Sequence, residues 1–275
     1  MTNGGLYIHG TSPQEQERLT RLNEVLNQGS LRELAPAAGE RVLDVGAGLG
    51  QLTRSIGRRT GVRVVAIERS AEQIAEAMRQ AKKAGEEHLL EMRAGDAHDL
   101  PLRAEEWNSF DIAHARFLLE HVSDPLAIVQ AMVRAVRPGG RVVLEDDDHE
   151  LLHLWPEAPH VMTVWRAYMQ SYAMVGNDPI VGRRLAELLR RAGAICSRVT
   201  YIFFGACAGS PNFRAYVENL AAILEGAEDA LGKVGLAREP MQQGLSELRS
   251  WAERPEAAFW YAVSWAEGIK PVPGE

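Results

Sequence analysis

The sequence predicts a doubly wound α/β fold, and three observations predict it. Short β-rich runs alternate with helical patterns from Arg41 onward, a glycine loop follows the first run, and Pro138-Gly139-Gly140 ends one helical pattern and starts the fifth run. Strands that alternate with helices pair in parallel through right-handed crossovers, so the alternation is itself a topological signal.

Each element has its own local reason. Ser12-Pro13-Gln14-Glu15 opens a helix, with a serine cap, a proline in the first turn and a glutamate three residues after the cap. Leu19, Leu22, Val25 and Leu26 then fall on one helical face. The β-rich runs are 41–45, 63–67, 89–93, 109–113 and 141–145, and the helical patterns between them are 51–59, 71–84, 117–122 and 126–136. After Asp148 the pattern changes: helices are expected at 156–174, 182–193, 211–234 and 239–253, and strands at 195–204 and 257–265. The expected organisation is an N-terminal helical lid over 1–37 and a core over 38–275. Helical insertions at 150–181 and 210–254 would cap the ligand crevice or make a homodimer contact.

Composition narrows the function classes. The chain has 275 residues, 46% of them hydrophobic and 24% charged, which suits a packed globular domain. Its formal net charge of −7 argues against a nucleic-acid partner or an anionic membrane. No apolar run reaches the roughly 18 residues of a spanning helix. Met1-Thr2-Asn3-Gly4-Gly5 has neither a basic start nor an apolar stretch, so a cytoplasmic location is expected. Cys196 and Cys207 do not form a close pair and read as small apolar residues in a reducing compartment.

The loop Asp44-Val45-Gly46-Ala47-Gly48-Leu49-Gly50 lets a ligand approach the backbone at a helix N-terminus. It does not complete the dinucleotide fingerprint, because Gln51 stands where the third glycine or alanine belongs, and no Gly-Lys-Ser/Thr of a phosphate loop is present. Asp44 lies ahead of the first glycine, where a pyrophosphate would meet an anion and an ammonium would meet a partner. Glu68 ends the second run and suits ribose hydroxyls; Asp96 in Gly95-Asp96-Ala97 ends the third and suits an adenine amino group. An ammonium, a sulfonium, a nucleoside and no phosphate describe S-adenosylmethionine.

From about residue 38 to 148 the sequence resembles the class I S-adenosylmethionine-dependent methyltransferases, especially the small-molecule branch related to ubiquinone and menaquinone biosynthesis. The blocks that carry the resemblance are 42–50, Glu68, Gly95-Asp96-Ala97, Phe110-Asp111, 117–125 and Arg137-Pro138-Gly139-Gly140, in that order. The resemblance implies a Rossmann-like, mostly parallel seven-stranded sheet with helical cap insertions. It implies that Asp44, Gly46, Ala47 and Gly48 hold the methionine part, Glu68 the ribose, and Asp96 with Ala97 the adenine. Ala115 and Arg116 would line the methionine side. Arg69 stands where the family often has an apolar residue, so its adenine contact would run through its aliphatic stem or backbone. S-adenosylhomocysteine would be the product.

Methyl transfer from a sulfonium is an in-line displacement, so the protein supplies proximity and desolvation, and a base only where the acceptor must first lose a proton. His121 is the first candidate base, with a helix cap near Asp124 as its structural alternative; Asp147 and His149 come second. Tyr7 and His9 precede the first helix and are candidate lid or substrate residues. The acids and histidines of 145–150 superficially resemble a metal cluster, but strand alternation sends neighbours to opposite faces, so no metal is expected.

A nucleobase methyltransferase would carry an Asn/Asp-Pro-Pro-Tyr/Phe loop where this chain has His114-Ala115-Arg116-Phe117. The expected substrate is a small apolar or aromatic molecule, for which Trp155, Trp165, Tyr168, Tyr172, Phe203, Phe204 and Tyr216 could form the lining. Whether oxygen, nitrogen or carbon accepts the methyl group stays open. So does a protein of the same fold that binds the cofactor without methylating, as a cyclase or a regulatory subunit.

Overall fold

The computed structural model describes residues 13–274. In chain order the helices and strands are α1 (Pro13–Leu34), β1 (Val42–Val45), α2 (Gln51–Thr60), β2 (Val64–Glu68), α3 (Ala71–Ala84), β3 (Leu90–Ala94), β4 (Phe110–Arg116), α4 (Pro125–Ala135) and β5 (Val136–Asp147). They continue with β6 (His153–Trp155), α5 (Pro159–Ala173), α6 (Leu185–Arg191), β7 (Ile195–Phe203), β8 (Ala206–Cys207), α7 (Phe213–Gly226), α8 (Glu228–Lys233), α9 (Arg238–Ala252), β9 (Ala258–Trp260) and β10 (Ala262–Ile269).

The chain divides into two compact units. The sheet unit comprises 27–148, 180–202 and 263–274; the helical unit comprises 13–26, 149–179 and 203–262.

The sheet unit holds seven strands in the order β3-β2-β1-β4-β5-β10-β7. β3, β2, β1, β4 and β5 run parallel, and β10 is antiparallel to β5. All four residues of β1 are buried, as a strand covered on both faces requires. The chain leaves β1 for β2 on one side and later returns to β4 on the other. That reversal is the switch point at which open α/β sheets bind ligands. The core packs Leu43, Val45, Ile67, Phe110, Ile128, Met132, Leu144, Leu185 and Leu189 around the sheet. Caps fix the helix entries beside the switch point: Ser70 accepts from the Gln73 N–H at 3.2 Å ahead of α3, and Asp124 accepts from the Ala127 N–H at 3.1 Å ahead of α4.

The helical unit packs α5, α7, α8 and α9 with the small antiparallel sheet β6-β9-β8. Its core includes Trp165, Phe204, Phe213, Tyr216, Leu224, Leu248, Trp251 and Phe259.

Several expected boundaries give way. The expected helix at 117–122 is only a single 3-10 turn at Leu119–His121. Phe117 has φ +52°, a left-handed conformation that no helix accommodates, and the Leu118 and Leu119 N–H groups donate to Asp146 Oδ2 at 3.1 and 2.7 Å. The expected strand 257–265 is two strands parted at Tyr261: β9 pairs with β6 and β8, whereas β10 pairs with β5. The expected helix 211–234 is broken at Ala227 into α7 and α8. The expected helix 182–193 opens as a 3-10 turn, Val181–Arg184, before α6. Pro138-Gly139-Gly140 lies inside β5 as an excursion: Phe110 opposes Val136, and the next paired residue, Ile112, opposes Arg141.

Candidate active site

The loop between β1 and α2 is stitched to the ends of the neighbouring strands. The Gly46 and Ala47 N–H groups donate to the Ile67 carbonyl at 2.9 and 3.0 Å, and the Gly95 N–H donates to the Glu68 carbonyl at 3.1 Å. Glu68 accepts the Gly48 N–H on Oε2 at 3.0 Å and the Ser70 N–H on Oε1 at 2.8 Å. Asp44, Gly46, Ala47, Gly48, Glu68, Asp96 and Ala97 are therefore placed along one rim, at the carboxyl ends of β1, β2 and β3.

Gly46, Gly48 and Gly50 are all left-handed in this loop. Gly46 has φ +76°, and a Cβ there would sit 3.2 Å from Leu118 Cδ1; Gly48 has φ +53°, and its Cβ would meet Gln73 Oε1 at 3.3 Å. Leu118 follows β4, so the first glycine also sets how closely the β4 loop approaches the β1 loop.

Asp44 is not a free carboxylate at the rim. It is 4% exposed, with Oδ2 accepting the Thr53 hydroxyl at 2.6 Å and Oδ1 2.9 Å from His114 Nδ1. Burial pushes its pKa up, but the His114 hydrogen bond and charge, with the Thr53 hydrogen bond, bring it below the ordinary aspartate value. Asp96 is exposed, and its ionised form is held by the His98 N–H at 2.8 Å and the His98 ring. Arg69 is exposed beside it and contributes a favourable charge to that carboxylate.

Ala115 is buried and opposite Val45 in the β1–β4 register. Arg116 reaches back to α1, where Nη1 donates to the Ser30 hydroxyl at 3.0 Å and Nη2 to Asn27 Oδ1 at 2.8 Å. It also adds a favourable charge to Asp44.

The candidate bases differ in their surroundings. His121 is about half exposed at the end of the 3-10 turn, with Nε2 3.4 Å from Glu120 Oε1. Its expected role as a helix cap has no helix to cap, because that segment is only one 3-10 turn. Asp147 ends β5, half-buried, its N–H donating to Asp146 Oδ1 at 3.1 Å. His149 belongs to the helical unit. There its ring meets Trp165, Tyr168 and Tyr172 edge-on at 5.1, 5.6 and 5.3 Å, and Nδ1 is 3.1 Å from the Tyr261 hydroxyl. Tyr7 and His9 lie outside the described residues. Of the aromatic residues expected to line a substrate site, Trp165, Tyr172, Phe204 and Tyr216 are buried in the helical unit's core, while Trp155 and Phe203 are exposed.

Sequence reasoning missed His114, Glu145 and Asp146 as a buried charged group. His114 is 0% exposed and lies between Asp44 and Glu145, its Nε2 3.3 Å from Glu145 Oε1. Burial alone would lower its pKa, yet hydrogen bonds and charge from Asp44 and Glu145 raise it to about 9. Asp146 is pushed well above the ordinary aspartate value by burial and by the nearby charges of Glu120 and Asp147. Polar residues inside runs otherwise apolar enough to be buried strands were the available signal.

A family model described as a methyltransferase domain matches residues 43–144. The ubiquinone biosynthesis O-methyltransferase of Xanthomonas axonopodis pv. citri (strain 306) is 34% identical over 182 residues, covering 65% of this chain and 72% of that protein. The protein of the same name from Xanthomonas oryzae pv. oryzae (strain PXO99A) is 38% identical over 107 residues, where the match spans 39% of this chain and only 43% of the relative. Among solved structures, the [4+2]-cyclase SpnF superposes with a TM-score of 0.56 at 22% identity, covering 98% of this chain and 90% of that one. Geranyl diphosphate methyltransferase in complex with S-adenosylmethionine gives 0.56 at 15%, covering 94% and 92%. Phosphoethanolamine N-methyltransferase 2 of Haemonchus contortus, also in complex with S-adenosylmethionine, gives 0.55 at 18%, covering 90% of this chain and 52% of that one. These structural likenesses establish the shared fold.

The donor set fits that cofactor. The loop 44–50 carries an acid and no lysine or arginine, the rim adds Glu68 and Asp96, and the glycines leave backbone open to close approach. Such a rim repels a pyrophosphate and suits a cationic nucleoside with free hydroxyls. With the fold, the rim and the 34%-identical relative in agreement, the chain belongs to the class I S-adenosylmethionine-dependent methyltransferases.

Proposed function

We propose that the chain methylates a hydroxyl oxygen of a small apolar or aromatic molecule. The single observation that carries the reading is the acid rim on consecutive parallel strands, Asp44, Glu68 and Asp96, wrapped around a loop with three left-handed glycines. Support for an oxygen acceptor comes from the relatives named for ubiquinone biosynthesis O-methylation. An aromatic cluster in the helical unit, with Trp165, Tyr168 and Tyr172 gathered about His149, is in keeping with an aromatic acceptor.

Bound S-adenosylmethionine supplies a methyl group already activated by the positive sulfur. The chain's part is to hold and to orient. In this reading Asp44 meets the ammonium group with its charge, and Gly46, Ala47 and Gly48 admit the methionine backbone. Glu68 accepts from the ribose, Asp96 and Ala97 meet the adenine beside the Arg69 stem, and Ala115 and Arg116 close the methionine side.

His121 is the proposed base for the acceptor hydroxyl, since its imidazole is about half exposed beside Glu120 and carries a ring nitrogen able to accept a proton. His121→Ala is expected to lower turnover by about 100-fold with S-adenosylhomocysteine affinity within a factor of about two. Unchanged turnover at saturating acceptor removes His121 from the reaction, and Asp147 and His149 are then the residues to substitute.

The net charge of −7 supports a substrate other than nucleic acid. No helix among the described residues is long and apolar enough to cross a membrane; a cytoplasmic setting belongs to the same reading. Exposed Trp155, in the first insertion, supports a homodimer through the insertions.

The test is methyl-labelled S-adenosylmethionine offered with a panel of phenols, catechols and amines. Label on an aromatic hydroxyl is the expected result. Tight cofactor binding with no transfer to any acceptor would instead favour a protein of the same fold that does not methylate, a reading to which the likeness to a cyclase lends a precedent of fold.

A further inference from the structure

A continuous chain of polar groups, buried from Thr53 to Ser30 and half-buried at Arg116 and Asn27, runs beneath the glycine loop. Thr53 donates to Asp44, His114 lies between Asp44 and Glu145, Ser30 donates to Glu145 Oε2 at 2.6 Å, and Arg116 donates to Ser30 and to Asn27. Strand register explains why the central three meet. Asp44 on β1 opposes His114 on β4, and His114 opposes Val143 on β5. Glu145 lies two residues beyond Val143 and so shares its face.

Each ring nitrogen of His114 faces a carboxylate oxygen, at 2.9 and 3.3 Å, and the three side chains are all at least 95% buried. A neutral imidazole has a single N–H. It could serve only one of two ionised carboxylates and would turn a lone pair on the other, deep in a low-dielectric interior. Turning the ring over exchanges the nitrogens and changes nothing in this count. With both carboxylates ionised, the arrangement is satisfied only by an imidazolium that donates both ways.

We propose that His114 is a cationic positioning residue for the cofactor, clamping the Asp44 carboxylate so that it stays ionised and fixed at the start of the glycine loop. The proposal rests on Asp44 as the group that meets the cofactor's ammonium. Thr53 and His114 between them hold both Asp44 oxygens, so the protein sets the orientation of that carboxylate before any ligand arrives. Without the cation, two carboxylates would face one another across a buried space, with Arg116 left as a nearby positive charge. One of them would take up a proton, and an Asp44 that spends part of its time protonated attracts an ammonium less.

The experiment uses the full chain with S-adenosylhomocysteine. Nitrogen NMR of the imidazole, recorded at pH 8 on free and bound protein, is expected to show both ring nitrogens of His114 protonated; a neutral ring overturns the proposal. His114→Asn is expected to weaken S-adenosylhomocysteine about tenfold by calorimetry. It should raise KM for S-adenosylmethionine with kcat kept at saturating cofactor. Wild-type affinity in a folded His114→Asn protein overturns it as well.

Glu145→Gln keeps one carboxylate, so a neutral His114 can still donate to Asp44; its expected loss is smaller, about threefold, with the imidazole now titrating at lower pH. A role in stability alone would lower the melting temperature of these variants and leave the affinity of the folded protein unchanged. Should His114→Asn not fold, the spectrum of the wild type decides the charge state. Wild-type protein that binds no S-adenosylhomocysteine would sink the site reading above, an outcome distinct from a neutral ring.

Discussion

The two halves of the seven-stranded sheet hold their charges in opposite ways. At the ends of β2 and β3, Glu68 and Asp96 stand half-buried or exposed, fixed by backbone N–H groups of their own and adjacent turns. On β4 and β5, His114, Glu145 and Asp146 are sealed from solvent and answer one another or the backbone of 118–119. Asp44, on the strand between, belongs to both. A charge at an exposed rim is available to a ligand but is screened and individually weak; a buried one is expensive unless paired, and once paired it fixes geometry. The site therefore divides its labour: the outer acids recognise, and the buried group beneath them holds the loop in shape.

The strongest way to break that picture is Asp44→Ala, which strikes both halves at once. It leaves the His114 cation with Glu145 alone, frees the Thr53 hydroxyl, and removes the charge offered to the ammonium. Removing one partner of a buried ionic group costs about 3 kcal/mol of stability or more. S-adenosylhomocysteine affinity is expected to fall about 100-fold. Calorimetric titration and thermal melting read the two effects separately. Near-normal binding would mean that the outer acids suffice by themselves.

Next in size is the pH dependence of folding, which isolates the buried half. His114 has its pKa raised in the folded protein to about 9, from an ordinary value of 6.5. A raised pKa stabilises the fold fully below pH 6.5, and that stabilisation fades as pH climbs through about 9. The size is on the order of 3 kcal/mol. The groups that set it are Asp44 on β1 and Glu145 on β5. Asp146, itself raised, stays in place in His114→Asn, so melting curves of wild type and variant between pH 6.5 and 9 separate the two contributions. The wild type should lose stability across that window and the variant much less; parallel curves would place the proton elsewhere.

A third and smaller change targets the join of the halves. Gly46→Ala puts a side chain at φ +76° and against Leu118 at 3.2 Å. The left-handed conformation costs about 1–2 kcal/mol, and Leu118 must shift by a few tenths of an ångström. Cofactor affinity and melting temperature should both fall moderately. A loss of affinity with no loss of stability would show that the close approach of the two loops serves the ligand rather than the fold.

The same division explains what the sequence disclosed. Asp44, Gly46, Gly48, Glu68 and Asp96 could be found because each sits at a fixed offset from its own strand, so a motif along the chain is also a motif in space. His114 and Glu145 could not be paired that way. They are 31 residues apart, and their meeting depends on the register of β1, β4 and β5, which no local pattern encodes. The segment after β4 misled for a related reason. Its apolar spacing suits a helix, but Asp146 takes the N–H groups of Leu118 and Leu119, and Phe117 turns left-handed. At Tyr261 a single β-rich run feeds two sheets, and periodicity cannot report a change of partner.

The smallest expected effect belongs to the outermost acid, and it tests whether exposure sets the scale. Asp96 has a side chain 52% exposed and already accepts from the His98 N–H and faces the His98 ring. Asp96→Asn keeps a side-chain oxygen able to accept both from that N–H and from an adenine amino group, and gives up only the charge. Exposed charges contribute little in water, so S-adenosylhomocysteine affinity should fall about two- to threefold with the melting temperature unchanged. Raising the salt concentration should narrow even that gap, because screening acts on the exposed charge and spares the buried group under Asp44. A loss as large as that of Asp44→Ala, or one insensitive to salt, would mean that the rim binds the cofactor through its outermost acid, and that the buried half serves stability alone.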